Sequence, residues 1–135
     1  MEQELSVLLR RARAYLASLA AELHPDLEAS AYSTLLLVLT RERVRAADVA
    51  EHFSLNKGPV SRQVAGLERL GLITRVADPD DGRAQVLVAT PECRARWEEL
   101  RADRAADVRA GLGAWPHRDV ERFAALLERF NALLE

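Results

Sequence analysis

The sequence predicts a mainly α-helical chain carrying one small β-hairpin, and three observations predict it. Apolar residues recur at helical spacing along most of the length. The pattern turns strand-like only around residues 72–88, and the hexapeptide between the two strand-like runs is turn chemistry. The 135 residues are expected to form a single domain, long enough to bury roughly two thirds of the unfolded surface.

Leu5, Leu8, Leu9, Ala12, Tyr15, Leu16, Leu19 and Leu23 place an amphipathic helix over residues 4–23. His24-Pro25-Asp26 ends it, because proline cannot continue the hydrogen-bond ladder. Ser30 is expected to cap a second helix, whose run over residues 35–39 is apolar all round and therefore buried. Residues 46–53 read as a short helix and Ser54-Leu55-Asn56 as a turn. Asn56 then caps a further helix to residue 70, with Pro59 in its first turn and Gly71 stopping it. Residues 72–76 and 84–88 are the strands, joined through Asp78-Pro79-Asp80-Asp81-Gly82-Arg83. Thr90-Pro91-Glu92 supplies a capping hydroxyl, a first-position proline and an acid facing the helix dipole. Trp97, Leu100, Arg104, Val108 and Leu112 follow at helical spacing until Gly111, Gly113 and Pro116 break the pattern. Val120, Phe123, Leu127, Phe130 and Leu134 mark a last amphipathic helix.

Composition excludes several classes. Hydrophobic residues at 49% and charged ones at 30% exclude disorder. The longest apolar runs, residues 35–39 and 123–127, fall far short of the roughly 18 that a membrane span needs. The acidic start, Met-Glu-Gln-Glu, lacks the basic and apolar regions of a secretory signal, and a lone cysteine forms no internal disulfide. A cytoplasmic chain without membrane contact is expected. Net charge is −2, and only residues 55–85 are positive, with five bases against four acids. Arginine makes up 18 of the 19 bases, a preference that GC-rich codon usage explains, and Lys57 is the lone lysine. Charge alone therefore announces no partner.

Order carries more than charge. A short helix, a three-residue turn, a second helix and a hairpin make a winged helix-turn-helix, flanked here by helices at both ends. One helix of such a pair fits the DNA major groove while the wing reaches the adjacent minor groove. On a helical wheel of residues 57–70, Val60, Val64 and Leu67 share the inner side, leaving Gly58, Ser61, Arg62, Ala65 and Arg69 outward. Arg62 is the leading base-reading candidate, since a bidentate arginine–guanine contact is worth about 1–3 kcal/mol of discrimination. Lys57 and Ser61, near the helix N-terminus, suit phosphates. A solvated helix face is the plain alternative for Arg62 and Arg69, and a turn charge paired with Asp81 for Arg83.

Residues 46–95 resemble the multiple-antibiotic-resistance-regulator (MarR) family of bacterial transcription regulators. The resemblance rests on Ala47-Asp48-Val49-Ala50-Glu51-His52-Phe53, Val60-Ser61-Arg62-Gln63-Val64 and Leu67-Glu68-Arg69-Leu70-Gly71-Leu72-Ile73. Its most specific part is Asp78-Pro79-Asp80-Asp81-Gly82-Arg83-Ala84, followed by Val86-Leu87-Val88 and Thr90-Pro91-Glu92. In that family an Asp-x-Arg on the wing sends its arginine into the minor groove with the aspartate orienting it, which points here to Asp81 and Arg83. Wheel and resemblance together give an expected DNA-contacting set of Lys57, Gly58, Ser61, Arg62, Gln63, Arg69, Arg75, Asp81 and Arg83. It also implies a single MarR-like domain, with the winged lobe at about residues 30–90. The homodimer would be built from helices at about 4–23 and 91–134, its last helix covering 117–134. Effectors in the family lodge where dimer helices meet the DNA-binding lobe, so Tyr32 and Trp97 are the candidate ligand-lining residues. Cys93 and Ser54 stand where glycine is commoner, and Asp78, Asp80 and Asp81 outnumber Arg75 and Arg83 on the wing.

The expected function is a homodimeric, sequence-specific regulator of double-stranded DNA, a repressor released by a small aromatic or anionic effector. Its operator would be a pseudo-palindrome with half-sites roughly 10 bp apart. The alternative is a protein–protein adaptor built on the winged fold, supported by near-neutral charge and the acidic wing. A metal-responsive regulator is disfavoured, because His24, His52, His117 and Cys93 lack ligand spacing. No cofactor is expected. Neither a Gly-x-Ser-x-Gly, a P-loop nor a His-Glu-x-x-His occurs, so no enzyme is expected. Cys93 in the first turn of a helix reads as packing, although a helix N-terminus favours a thiolate and so a redox role.

Overall fold

The computed structural model describes residues 1–133. They fall into two compact units, Met1–Glu98 and a second that begins at Glu99, and the boundary lies inside a helix. The first unit holds α1 (Glu2–Leu23), α2 (Ala29–Thr40), α3 (Ala46–His52), α4 (Lys57–Arg69), β1 (Ile73–Ala77) and β2 (Gln85–Ala89). It also holds the start of α5 (Pro91–Leu112), which runs on into the second unit ahead of α6 (His117–Asn131). The chain is mainly helical with one antiparallel hairpin, as the pattern predicts, and the winged helix-turn-helix order is intact.

The core of the first unit centres on α2, where Tyr32, Thr34, Leu35, Leu37, Val38 and Leu39 are buried. Leu19, Ala20 and Leu23 of α1, Val49 of α3, and Val60, Val64 and Leu67 of α4 complete it, together with Val86, Leu87 and Cys93. Thr34 is fully buried, and its hydroxyl donates to Oε1 of Gln63 at 2.7 Å, which ties α2 to α4 across the apolar layer.

Two helix starts differ from expectation. Ser30 lies one residue inside α2 instead of capping it, and Glu28 occupies the N-cap without a side-chain bond. The reason is Leu27, buried and held by its N–H to the His24 carbonyl, which pins the chain and lets the helix begin earlier. Asn56 does occupy the N-cap of α4, yet its side chain makes no capping bond. Thr90 caps as expected: its hydroxyl accepts the Cys93 N–H at 3.3 Å and donates to the Gly71 carbonyl at 2.8 Å. One hydroxyl thus closes α4 and opens α5.

Left-handed backbone ends both helices of the pair. Gly71, at φ 71°, lets the Leu72 N–H return to the Leu67 carbonyl and terminates α4. Ser54 sits at φ 51° after α3, so this turn asks for the glycine that the sequence lacks. Because Leu72 is used to close α4, each strand starts one residue later than the pattern suggests. The register pairs Ile73 with Ala89 and Ala77 with Gln85. Val44 adds a bridge to Leu87 on the other side of β2.

In the second unit, Gly111 lies within the last turn of α5, so the break comes at Gly113 and Pro116 only. No described residue of α6 is buried, and Phe123, Leu126 and Leu127 are exposed on it. Trp115 meets Phe123 edge-on at 5.9 Å. Leu134, the last apolar position expected on this helix, lies outside the described residues.

Leu67→Ala removes a fully buried side chain and should lower unfolding free energy in urea by about 2–5 kcal/mol. Arg62→Ala, on the outer face of the same helix, should leave it within about 0.5 kcal/mol. A similar cost for both would contradict the division of α4 into an inner and an outer face.

Candidate nucleic-acid interface

The inner stripe of α4 decides what its outer face presents. With Val60, Val64 and Leu67 turned into the core, Lys57, Gly58, Ser61, Arg62 and Arg69 are exposed. Lys57, Arg62 and Arg69 form no ion pair among the described residues, whereas Glu68 on the same helix accepts from Arg75 Nε at 3.1 Å. The outer face is therefore locally cationic despite the chain's net −2. Gln63 is half-buried and engaged with Thr34, on the flank toward α2.

The wing acids are not balanced by Arg75 and Arg83 alone. Asp78 is only 4% exposed. Its Oδ2 accepts from Arg45 Nε at 2.9 Å and Nη2 at 2.5 Å, and its Oδ1 accepts the Asp80 N–H at 2.9 Å. Arg43 pairs with Asp80 and lies 3.9 Å from Asp78. Arg43 and Arg45 flank the buried Val44 beside β2, so strand-like alternation sends the valine inward and both arginines outward to the wing. The partners of the wing acids come from outside the hairpin, 33 and 37 residues away in the chain, so reading the hairpin alone misses them. The Asp80 N–H and then the Arg45 guanidinium hold the Asp78 carboxyl below its ordinary range.

Asp81 also acts differently from the expected guanidinium partner. Its Oδ1 accepts the backbone N–H of Arg83 at 3.2 Å, and its carbonyl accepts the Ala84 N–H at 2.9 Å. It shapes the turn under Arg83, while the Arg83 side chain is exposed without an ion pair among the described residues.

The two ligand-lining candidates are not brought together in an open site. Tyr32 is 1% exposed, a core residue, and Trp97 is half-buried on α5. A cleft of about 460 Å³ lies instead between the start of α2 and α4. Its walls include Leu27, Pro59, Leu67 and Leu70, with Arg62 and Arg69 on one side and Asp26 and Glu28 on the other. Cys93 is buried, and burial pushes its thiol up to about 11, opposite to the effect of a helix N-terminus. Among the described residues no three His, Cys, Asp or Glu side chains form a metal cluster, and no helix is long and apolar enough to cross a membrane.

Comparison with known proteins places this geometry. Residues 26–84 match the sequence profile described as MarR family. The chain is also 32% identical over 131 residues to a protein of Bacillus subtilis (strain 168) named "Uncharacterized HTH-type transcriptional regulator YxaD", covering 97% of this chain and 90% of the relative. The chain belongs to the MarR family. Among solved structures, this MarR-family regulator is 27% identical to a probable transcriptional regulator from Pseudomonas aeruginosa, with 93% and 96% of the two chains covered and a TM-score of 0.59. Its fold also matches a MarR family protein from Bacillus stearothermophilus at 19% identity, 98% and 94% coverage and a TM-score of 0.75. It is a transcriptional regulator and not an enzyme.

A carboxyl held low in the native state stabilises the fold above its unfolded value and loses that contribution as pH falls through the native one. The stability difference between the MarR-family chain and its Asp78→Asn variant should be steady from about pH 8 to pH 5. It should close below the ordinary carboxyl value of 3.8. Thermal unfolding of both proteins across that range checks this, and a gap that persists undiminished at pH 3, roughly a unit below that value, would refute it.

Proposed function

We propose that this regulator binds double-stranded DNA as a homodimer, reading a pseudo-palindromic operator whose half-sites lie about one helical turn, roughly 10 bp, apart. The observation that carries the reading is the outer face of α4, where Lys57, Arg62 and Arg69 are exposed without ion pairs among the described residues. Arg62 reads a base edge in the major groove. Lys57 and Ser61, with the uncapped first turn of α4, meet phosphates, and Gly58 lets the backbone come close. Arg69 extends the phosphate track, and Arg75 shares it while tethered to Glu68. Arg83, held on a turn shaped by Asp81, enters the minor groove, where it reads width and potential. Gln63 supports the helix from its inner flank.

The winged lobe corresponds to residues of about 30–90, and dimerisation uses the helices at about 4–23 and 91–134. Exposed Leu8, Leu9 and Tyr15 on α1, and exposed Phe123, Leu126 and Leu127 on α6, support that assignment. Apolar faces of this kind remain in water unless a second chain covers them. Repression follows from occupancy of the operator in the cytoplasm. A small aromatic or anionic ligand releases it in proportion to its preference for the unbound state. The cleft beside Arg62 and Arg69 offers such a ligand a place, and occupancy there withdraws both arginines from DNA.

Fluorescence anisotropy with DNA from upstream of the protein's own gene, against a scrambled duplex at two salt concentrations, tests the reading. Binding should be sub-micromolar, prefer the upstream duplex and weaken steeply with salt. Arg83→Ala should reduce the salt slope by about one, and Arg62→Ala should cost about 1–3 kcal/mol on the upstream duplex only. Salt-insensitive behaviour without preference would favour the adaptor instead. In sedimentation, Leu127→Asp should weaken self-association at least about a hundredfold, since it puts a charge into an apolar contact.

A further inference from the structure

We propose that Asp78 is a positioning residue for DNA recognition: clamped by Arg45, it locks the wing to the first helix of the helix-turn-helix so that Arg83 meets the minor groove only when α4 lies in the major groove. This rests on the DNA-binding reading above and adds the element that couples its two contacts. A two-stranded hairpin is marginal in water by itself. The tip of this one, Pro79 through Arg83, is wholly exposed and has no apolar packing to order it.

What orders the tip sits at its base. The Asp78 N–H donates to the Ala84 carbonyl at 2.9 Å and closes the hairpin, while its carboxylate receives the fork of Arg45 and the N–H of Asp80. Arg45 is itself the N-cap residue of α3, and its own N–H is held by the Asp48 carboxylate at 2.7 Å. Next to it, the Val44 carbonyl accepts the Leu87 N–H at 2.8 Å. The wing base, the strand-like residues 43–45 and the head of α3 are therefore one hydrogen-bonded block. The fork of an arginine on a carboxylate fixes direction as well as distance. An arm fixed in advance loses less freedom on binding than a loose one. Arg43, by pairing with Asp80, removes the second acid from the field around Arg83.

A mutant cycle tests the coupling, with the duplex from upstream of the protein's own gene as probe and the full chain as protein. Arg83→Ala alone and Asp78→Asn alone should each weaken binding about tenfold, and the double variant should be no weaker than the worse single one. Arg62→Ala should instead multiply with Asp78→Asn. Hydrogen exchange in the free protein supplies a second readout. The Asp80 and Ala84 amides should exchange at least about tenfold faster in Asp78→Asn, while amides in the middle of α2 and α4 keep their rates. Arg45→Gln, altering a side chain that is 42% exposed, repeats the test from the other side if Asp78→Asn fails to fold. Multiplicative effects of Arg83→Ala and Asp78→Asn, or unchanged wing exchange, would overturn the proposal. If the unaltered protein shows no preference for the upstream duplex, the DNA-binding reading fails, and exchange still decides whether the clamp orders the wing.

Discussion

Burial of one stripe of α4 constrains everything around it. Val60, Val64 and Leu67 lie in the core, at 2%, 1% and 0% exposure, and a helix with that side fixed has no choice about its other side. The rotation that satisfies three apolar side chains is the same rotation that brings Ser61, Arg62 and Arg69 to the surface. The Thr34–Gln63 hydrogen bond then fixes the angle more narrowly than apolar contact alone, because a buried hydroxyl left without its partner is costly. One packing requirement thus settles which side chains the outer face of α4 presents.

Charge is handled by a different route. The sequence is nearly neutral overall, and the fold makes a cationic surface by pairing selected acids away rather than by accumulating bases. Glu68 takes Arg75, Asp78 takes Arg45, and Asp80 takes Arg43. These pairs are partly exposed and contribute modestly to stability. Their larger effect is on the field at short range, where a neutralised carboxylate no longer offsets the neighbouring cations.

The order of helices and the hairpin were legible because periodicity, proline and glycine act locally. The left-handed Gly71 and the capping Thr90 were legible for the same reason. Long-range partners were not: nothing near Asp78 indicates that Arg45 will reach it, since that contact exists only after Val44 lies down beside β2. The early start of α2 had a similar cause, because burial of Leu27 overrode the capping preference of Ser30. The burial of Tyr32 was not legible either, because position on a segment says nothing about depth. Which atom of Arg83 meets Asp81 was not legible: the carboxylate accepts the backbone N–H and not the guanidinium. The outward set on α4 was legible since a helical wheel needs only the identity of the core face.

Lys57 is the first residue of α4, and no other lysine occurs in the chain. Arginine is inert to reagents and enzymes that acylate amines, so the other eighteen basic side chains are passed over by such chemistry: apart from the amino terminus, the protein offers it a single address.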